Sequence, residues 1–214
     1  MNRSFDDYSL YVFDLDGTLY DQPKLRLIMA VRLMKYYLCH PFRIKELLLL
    51  SKFRKVKDAW TSSSSEEDMA EEVARSCKAD KEKVLSVVRR WIYDDPLTAL
   101  PKAADRKLAS IIEGLRAKGK KVFILSDYPT KEKLAALGIT ADAAYDPDDA
   151  RIDALKPSPK GLLVIMEDTG IAASEILMIG DRKEKDGQCA KAAGVDSLIL
   201  PRHINRRDFN GIQD

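Results

Sequence analysis

Short apolar runs, each followed by a polar turn and then a helical pattern, constrain this chain most. They lie at residues 10–13, 122–125, 176–179 and 197–200, with a further short one at 141–145. Strands that alternate with helices pair in parallel through right-handed crossovers. The predicted fold class is therefore α/β, with a Rossmann-like parallel sheet as its core. Ligand sites in such sheets lie beyond the carboxyl ends of the strands, so the residues that end each run carry the functional reading.

The first run ends in Asp14-Leu15-Asp16-Gly17-Thr18-Leu19. Side chains two apart in an extended segment point the same way, which lets Asp14 and Asp16 face one small site. Two carboxylates so close are not comfortably ionised unless cations are nearby. That arrangement suits chemistry better than stability. Gly17 lets the chain leave the strand at an angle closed to other residues.

This hexapeptide after an apolar strand resembles the first motif of the haloacid dehalogenase-like phosphohydrolases. The family's further sites stand in order. Ser126 follows the second strand, Lys156 sits in Leu-Lys-Pro-Ser-Pro, and Asp181 and Asp186 stand in Gly-Asp-x-x-x-x-Asp after residues 176–179. The resemblance covers residues 9–20 and 100–200. It implies Mg²⁺-dependent hydrolysis of a phosphate monoester, with Asp14 as the nucleophile that forms an aspartyl-phosphate. Asp14 and Asp181 would ligate the metal directly, Asp186 directly or through water, and Asp16 through its backbone carbonyl. Lys156 would offset the repulsion between carboxylate and phosphate. The Ser126 hydroxyl and the amides of Leu15 and Asp127 would donate to phosphoryl oxygens. Asp16 would protonate the leaving oxygen and later activate water, which calls for a pKa raised relative to that of Asp14. Glu184 is an extra metal-shell candidate, although a structural role suits it better. A phosphomutase acting on a sugar phosphate would use the same residues, and a non-catalytic binding protein on this fold is a third reading. The presence of Asp16 speaks against a dehalogenase. A phosphonatase would need a Schiff-base lysine in the insertion, and no lysine there is marked out.

Residues 21–97 read as an all-helical cap inserted into a core of residues 1–20 and 98–214. Its helices are expected at 25–38, 43–57, 66–77 behind an N-cap at Ser65, and 80–93 behind Asp80. Leu47, Leu48, Leu49 and Leu50 cover every side of a helix, which predicts burial on more than one face. Residues 61–65 read as a loop. Pro96 and Pro101 bracket an expected hinge, and Thr18 and Asp21 mark the entry to the insertion. Beyond it, helices are expected at 102–118, 131–137, 160–168 and 188–193. Residues 202–214 read as a polar, loosely packed tail.

Charge is distributed unevenly. Residues 24–57 hold ten Lys and Arg against Glu46 alone, a balance of +9 inside a chain of +2. The stems of such side chains can cover leucines while their heads stay solvated. The clustered field can also steer an anionic substrate toward Asp14, and basic residues interleaved with leucine can contact a lipid surface. At helical spacing the charges do not gather on one clean face.

The whole-chain balance points to no nucleic-acid partner. Three cysteines, Cys39, Cys77 and Cys189, are odd in number and contain no Cys-x-x-Cys, as expected of reduced thiols in a cytoplasmic protein. Two histidines disfavour a zinc site or a Ser-His-Asp triad. No signal-peptide core and no transmembrane segment of ~18 apolar residues is present in the sequence. The expected partner is a small-molecule phosphate monoester, anionic or lipid-linked.

Overall fold

Strand β1 (Leu10–Phe13) is buried along its whole length, because the sheet it belongs to is covered on both faces. The structure, a computed structural model, describes residues 3–59, 65–152 and 154–209. The other strands are β2 (Lys121–Leu125), β3 (Ala143–Tyr145), β4 (Ile176–Gly180) and β5 (Asp196–Ile199). They form one parallel sheet in the order β3-β2-β1-β4-β5. The chain winds outward from β1 to β3 and then returns to place β4 on the other side of β1. That reversal is where α/β sheets bind ligands. Phe13 lies opposite both Ile124 and Ile179, so the turns after β1, β2 and β4 begin at one height.

Alternation sorts the core into two layers. Tyr11, Phe13, Ile124 and Ile179 pack into one, with α7 (Arg106–Ala117) and helices from the segment between β1 and β2. Leu10, Val12, Leu125 and Met178 pack into the other, against α9 (Lys160–Thr169) and α10 (Gln188–Ala193). The remaining helix after β2 is α8 (Lys131–Leu137).

Between β1 and β2 come α1 (Gln22–Cys39), α2 (Glu46–Ala59), α3 (Glu66–Cys77) and α4 (Lys81–Val88), then a π-type turn (Arg89–Asp94) and the short α5 (Asp95–Leu97) and α6 (Leu100–Ala103). Asp21, Ser65 and Asp80 cap α1, α3 and α4 through side-chain acceptors. The expected loop residues 61–64 lie outside the described residues.

The structure corrects three expectations and refines a fourth. The helix read over 102–118 is two. Ala104 is extended, and Asp105 starts α7 by accepting from the Leu108 amide at 3.0 Å. Pro96 and Pro101, which bracket the expected hinge, lie in two short helices. They occupy the first turns of α5 and α6, where a missing amide costs nothing. Of the four leucines, Leu49 and Leu50 are buried but Leu47 and Leu48 are exposed, since α2 is packed along one side only. The tail is not loose over its described part: Arg207 and Phe209 are buried. Arg207 donates to the carbonyls of Gly17 at 2.7 Å and Thr18 at 2.6 Å, and pairs with Asp105 at 2.8 Å.

The two ends of the helical segment are tied together. Tyr20 and Ala104 form an antiparallel bridge, the Asp21 amide donates to Ala103 at 2.8 Å, and the Asp105 amide donates to Leu19 at 3.0 Å. Among the described residues no helix is long and apolar enough to cross a membrane.

Candidate active site

Asp14 follows β1, and its amide still donates to the Ile179 carbonyl at 2.8 Å. That bond fixes the carboxylate at the β1–β4 boundary. Thr18 Oγ1 donates to Asp14 Oδ2 at 2.9 Å, and Lys156 Nζ pairs with Asp14 Oδ1. The same ammonium donates to Asp186 Oδ1 at 2.8 Å and to the Leu125 carbonyl at 3.2 Å. Lys156 is held from the other end as well, its amide donating to Asp127 Oδ1 at 3.0 Å.

Carboxylate oxygens of Asp14, Asp181 and Asp186 lie within 4.8 Å of one another, all on buried residues. Asp181 is the informative member. Both of its oxygens are buried without a hydrogen-bond partner among the described residues, and Arg202 Nε stands 3.5 Å from Oδ2. A buried, unsatisfied carboxylate is costly. Two glycines make room for this crowding. A Cβ at Gly17, whose φ is +99°, would lie 2.8 Å from Asp181 Oδ2, and one at Gly180 would overlap Asp186. A set of hard oxygen donors with unused acceptor capacity fits a cation such as Mg²⁺.

Asp16 faces a different set of groups. Lys133 of α8 donates to Oδ1 and Oδ2 at 2.6 and 2.8 Å, and the Tyr20 hydroxyl donates to Oδ1. Ser126 Oγ, buried after β2, lies 3.5 Å from Asp16 Oδ2 and accepts from the Tyr128 amide at 3.1 Å. Leu15, between the two aspartates in sequence, is fully buried in the hydrophobic core. Asp127 pairs with Lys185 at 3.1 Å. Glu184 is exposed and paired with Arg182 and Arg202, away from the acidic cluster in both contact and burial. Thr18, at the entry to the helical segment, is fully buried and donates to Asp14, which gives it a positioning contact.

Their surroundings push the two aspartates in opposite directions. Burial pushes the Asp14 carboxyl up to about 7, with Asp186 adding to the rise and Lys156 opposing it. Burial acts on Asp16 too, but Lys133 and the Tyr20 hydroxyl outweigh it and hold that carboxyl below its ordinary value. Burial lowers and Asp14, Asp186 and Asp127 raise the Lys156 pKa, with a net result well above the usual lysine range. Burial and Asp186 raise that of Asp181.

Lys133 and Tyr20 escaped the sequence reading. Lys57 did so in part, as one cation among ten. Its ammonium sits 3.5 Å from the Tyr128 ring centroid, and burial lowers its pKa to about 8. These groups edge a cavity of about 480 Å³ between the strand ends and the helical segment. Its floor holds Asp14, Asp16 and Lys156. Its far side combines Arg26, Arg54 and Lys57 with apolar side chains such as Met29, Leu33 and Trp91.

The sequence profile of haloacid dehalogenase-like hydrolases matches residues 11–200. Phosphoglycolate phosphatase from Shigella dysenteriae serotype 1 is 28% identical over 228 residues, covering 96% of this chain and 85% of that protein. Among solved structures, a hydrolase of the same family from Bacillus subtilis, bound to magnesium, superposes with a TM-score of 0.63 at 15% identity, covering 90% of this chain and 88% of its own. The L-2-haloacid dehalogenase of Xanthobacter autotrophicus, with chloropropionic acid covalently bound, superposes at 0.62 with 18% identity, over 90% and 77% of the two chains.

Proposed function

The chain belongs to the haloacid dehalogenase-like hydrolases, and from that premise we propose that it is a phosphatase that cleaves a phosphate monoester through a phosphorylated Asp14. The observation that carries this reading is the meeting of Asp14, Lys156 and the acidic pair Asp181 and Asp186 at one end of the sheet.

Asp14 attacks phosphorus with one carboxylate oxygen while Thr18 and Lys156 hold its orientation. The ester P–O bond breaks, and the leaving oxygen takes a proton from Asp16. Asp16 then accepts a proton from water, which attacks the acyl-phosphate phosphorus and releases inorganic phosphate and free Asp14. Lys133 keeps Asp16 ionised before substrate arrives. A phosphate dianion beside it favours uptake of the proton that the first step needs. Ser126 and the amides of Leu15 and Asp127 donate to phosphoryl oxygens. Asp14, Asp181, Asp186 and the Asp16 carbonyl would hold Mg²⁺, which would supply the positive charge that lets one anion approach another.

Residues 21–97 serve as a cap over the core of residues 1–20 and 98–214, closing the site against water. Arg26, Arg54 and Lys57 give that cap cations for a second negative group on the substrate. Phosphoglycolate, the substrate in the names of the Shigella relatives, is such a compound. Three unpaired thiols suit the cytoplasm. The test is release of inorganic phosphate from phosphoglycolate, p-nitrophenyl phosphate and a panel of phosphate monoesters, with Mg²⁺ or with chelator. Release that needs the metal supports the reading, and no release from any monoester overturns it.

A further inference from the structure

Exposed large hydrophobic side chains are normally scattered over a protein surface. Here eight of nine among the described residues fall between Leu27 and Leu48. Four of them, Leu27, Val31, Met34 and Leu38, recur at spacings of four, three and four along α1. That spacing places them on one stripe of the helix. The opposite side of α1, with Leu25, Met29 and Leu33, lines the cavity. The helix is therefore amphipathic in an unusual sense, with apolar residues committed on both sides. Beyond it, Phe42 at the turn into α2 is 98% exposed, and Ile44 and Leu48 continue the patch.

Charge identifies the occupant. No acidic residue lies between Asp21 and Glu46. Lys24, Lys35 and Lys45 are exposed and enter no ion pair among the described residues. On a helical wheel Lys24 and Lys35 lie along one edge of the apolar stripe. A second copy seated on this face would bring cation against cation. An anionic bilayer offers the complement to both features at once, with negative headgroups for the lysines and an apolar layer beneath for the stripe and Phe42.

We propose that the α1–α2 face docks the protein on an anionic lipid surface. Docking there leaves the strand ends and the cavity on the other side of α1. The contact is peripheral and reversible, since it joins a small apolar insertion to screened charge.

The test is co-sedimentation of the whole chain with vesicles of phosphatidylcholine alone or mixed with phosphatidylglycerol. The protein is expected to partition onto the mixed vesicles, to ignore the neutral ones and to be released as salt rises. Lys35→Glu with Lys45→Glu should weaken partition by at least about 25-fold, at ~5-fold per cation lost near the surface with the added carboxylates opposing it further. Leu38→Ser with Phe42→Ser should weaken it by at least ~10-fold. These four residues lie outside the cavity, so p-nitrophenyl phosphate turnover without vesicles reports that each variant is folded. Salt dependence of the unaltered chain tests the idea even if a variant fails to fold. No partition onto phosphatidylglycerol vesicles at low salt overturns the proposal. So does a dimer in sedimentation that the Leu38 and Phe42 changes abolish, which would assign the face to a second copy.

Discussion

Lys133 Nζ lies 2.6 and 2.8 Å from the two carboxylate oxygens of Asp16. This pair joins α8 to the turn after β1 and sets the charge of the group assigned to proton transfer. Asp16→Asn should lower kcat by about 10²- to 10⁴-fold on an alkyl phosphate, and by much less on p-nitrophenyl phosphate, whose leaving oxygen is stable as an anion. Lys133→Met should cost less than Asp16→Asn. It removes the cation that depresses the Asp16 pKa, so the limb of the kcat/KM profile set by Asp16 should move to higher pH. Equal losses on good and poor leaving groups, or an unmoved limb, would contradict the assignment.

Asp181 tests the metal without reference to turnover. Its buried oxygens have no hydrogen-bond partner among the described residues, so Mg²⁺ should raise the melting temperature of the protein. Asp181→Asn removes a charge that Asp186 opposes. The variant should be at least as stable as the parent in chelator and should gain little from Mg²⁺. Differential scanning calorimetry with and without the ion reads both. An equal gain in the two proteins would remove Asp181 from the metal site.

Arg207 ties the end of the described chain to the catalytic turn through Gly17, Thr18 and Asp105. Its side chain is fully buried and that of Asp105 nearly so. Removing one partner of a buried pair costs about 3–5 kcal/mol. Arg207→Met should show a loss of that order in urea unfolding, with a fall in kcat because Thr18 no longer holds Asp14 firmly. A loss below ~1 kcal/mol would return the tail to the surface role its composition suggests.

Glu46 gives a pH-dependent prediction away from the site. Burial alone would raise its pKa, but hydrogen bonds from Lys83 and Arg43 pull it below 4.5. A group depressed in the folded state adds stability above its unfolded pKa and loses it as pH falls through the folded one. Glu46→Gln should therefore destabilise at pH ~7 and match the parent once pH drops below the usual carboxylate range. The carboxylate is buried but its partners are half exposed. The expected difference of about 1–2 kcal/mol lies between a surface pair and a buried one. A difference independent of pH would mean that shape, not charge, carries the effect.

The parts legible in the sequence are those in which chemistry and secondary structure sit on neighbouring residues. Residues 10–13 and 176–179 are apolar runs that end in aspartates, so both strand and site are written locally. Lys133 is different. It is one lysine on a seven-residue helix, and nothing nearby distinguishes it from a solvated one. Arg207 meets Gly17 across 190 positions, a contact that no local pattern announces. The surroundings that set the charge of Asp16 are hidden in the sequence for the same reason, since they include Lys133 and Tyr20. Leu47 and Leu48 show the opposite limit: their composition promised burial, and only the packing of α2 along one side shows them exposed.

The central claim is that Asp14 becomes phosphorylated. The most direct measurement is mass spectrometry of Asp16→Asn protein, acid-quenched during turnover of p-nitrophenyl phosphate with Mg²⁺ and digested. Slowed loss of the intermediate in this variant should leave one phosphoryl group on the peptide that contains Asp14, and Asp14→Asn should show neither label nor turnover. Turnover that persists in Asp14→Asn, or a label on any other residue, would contradict the account.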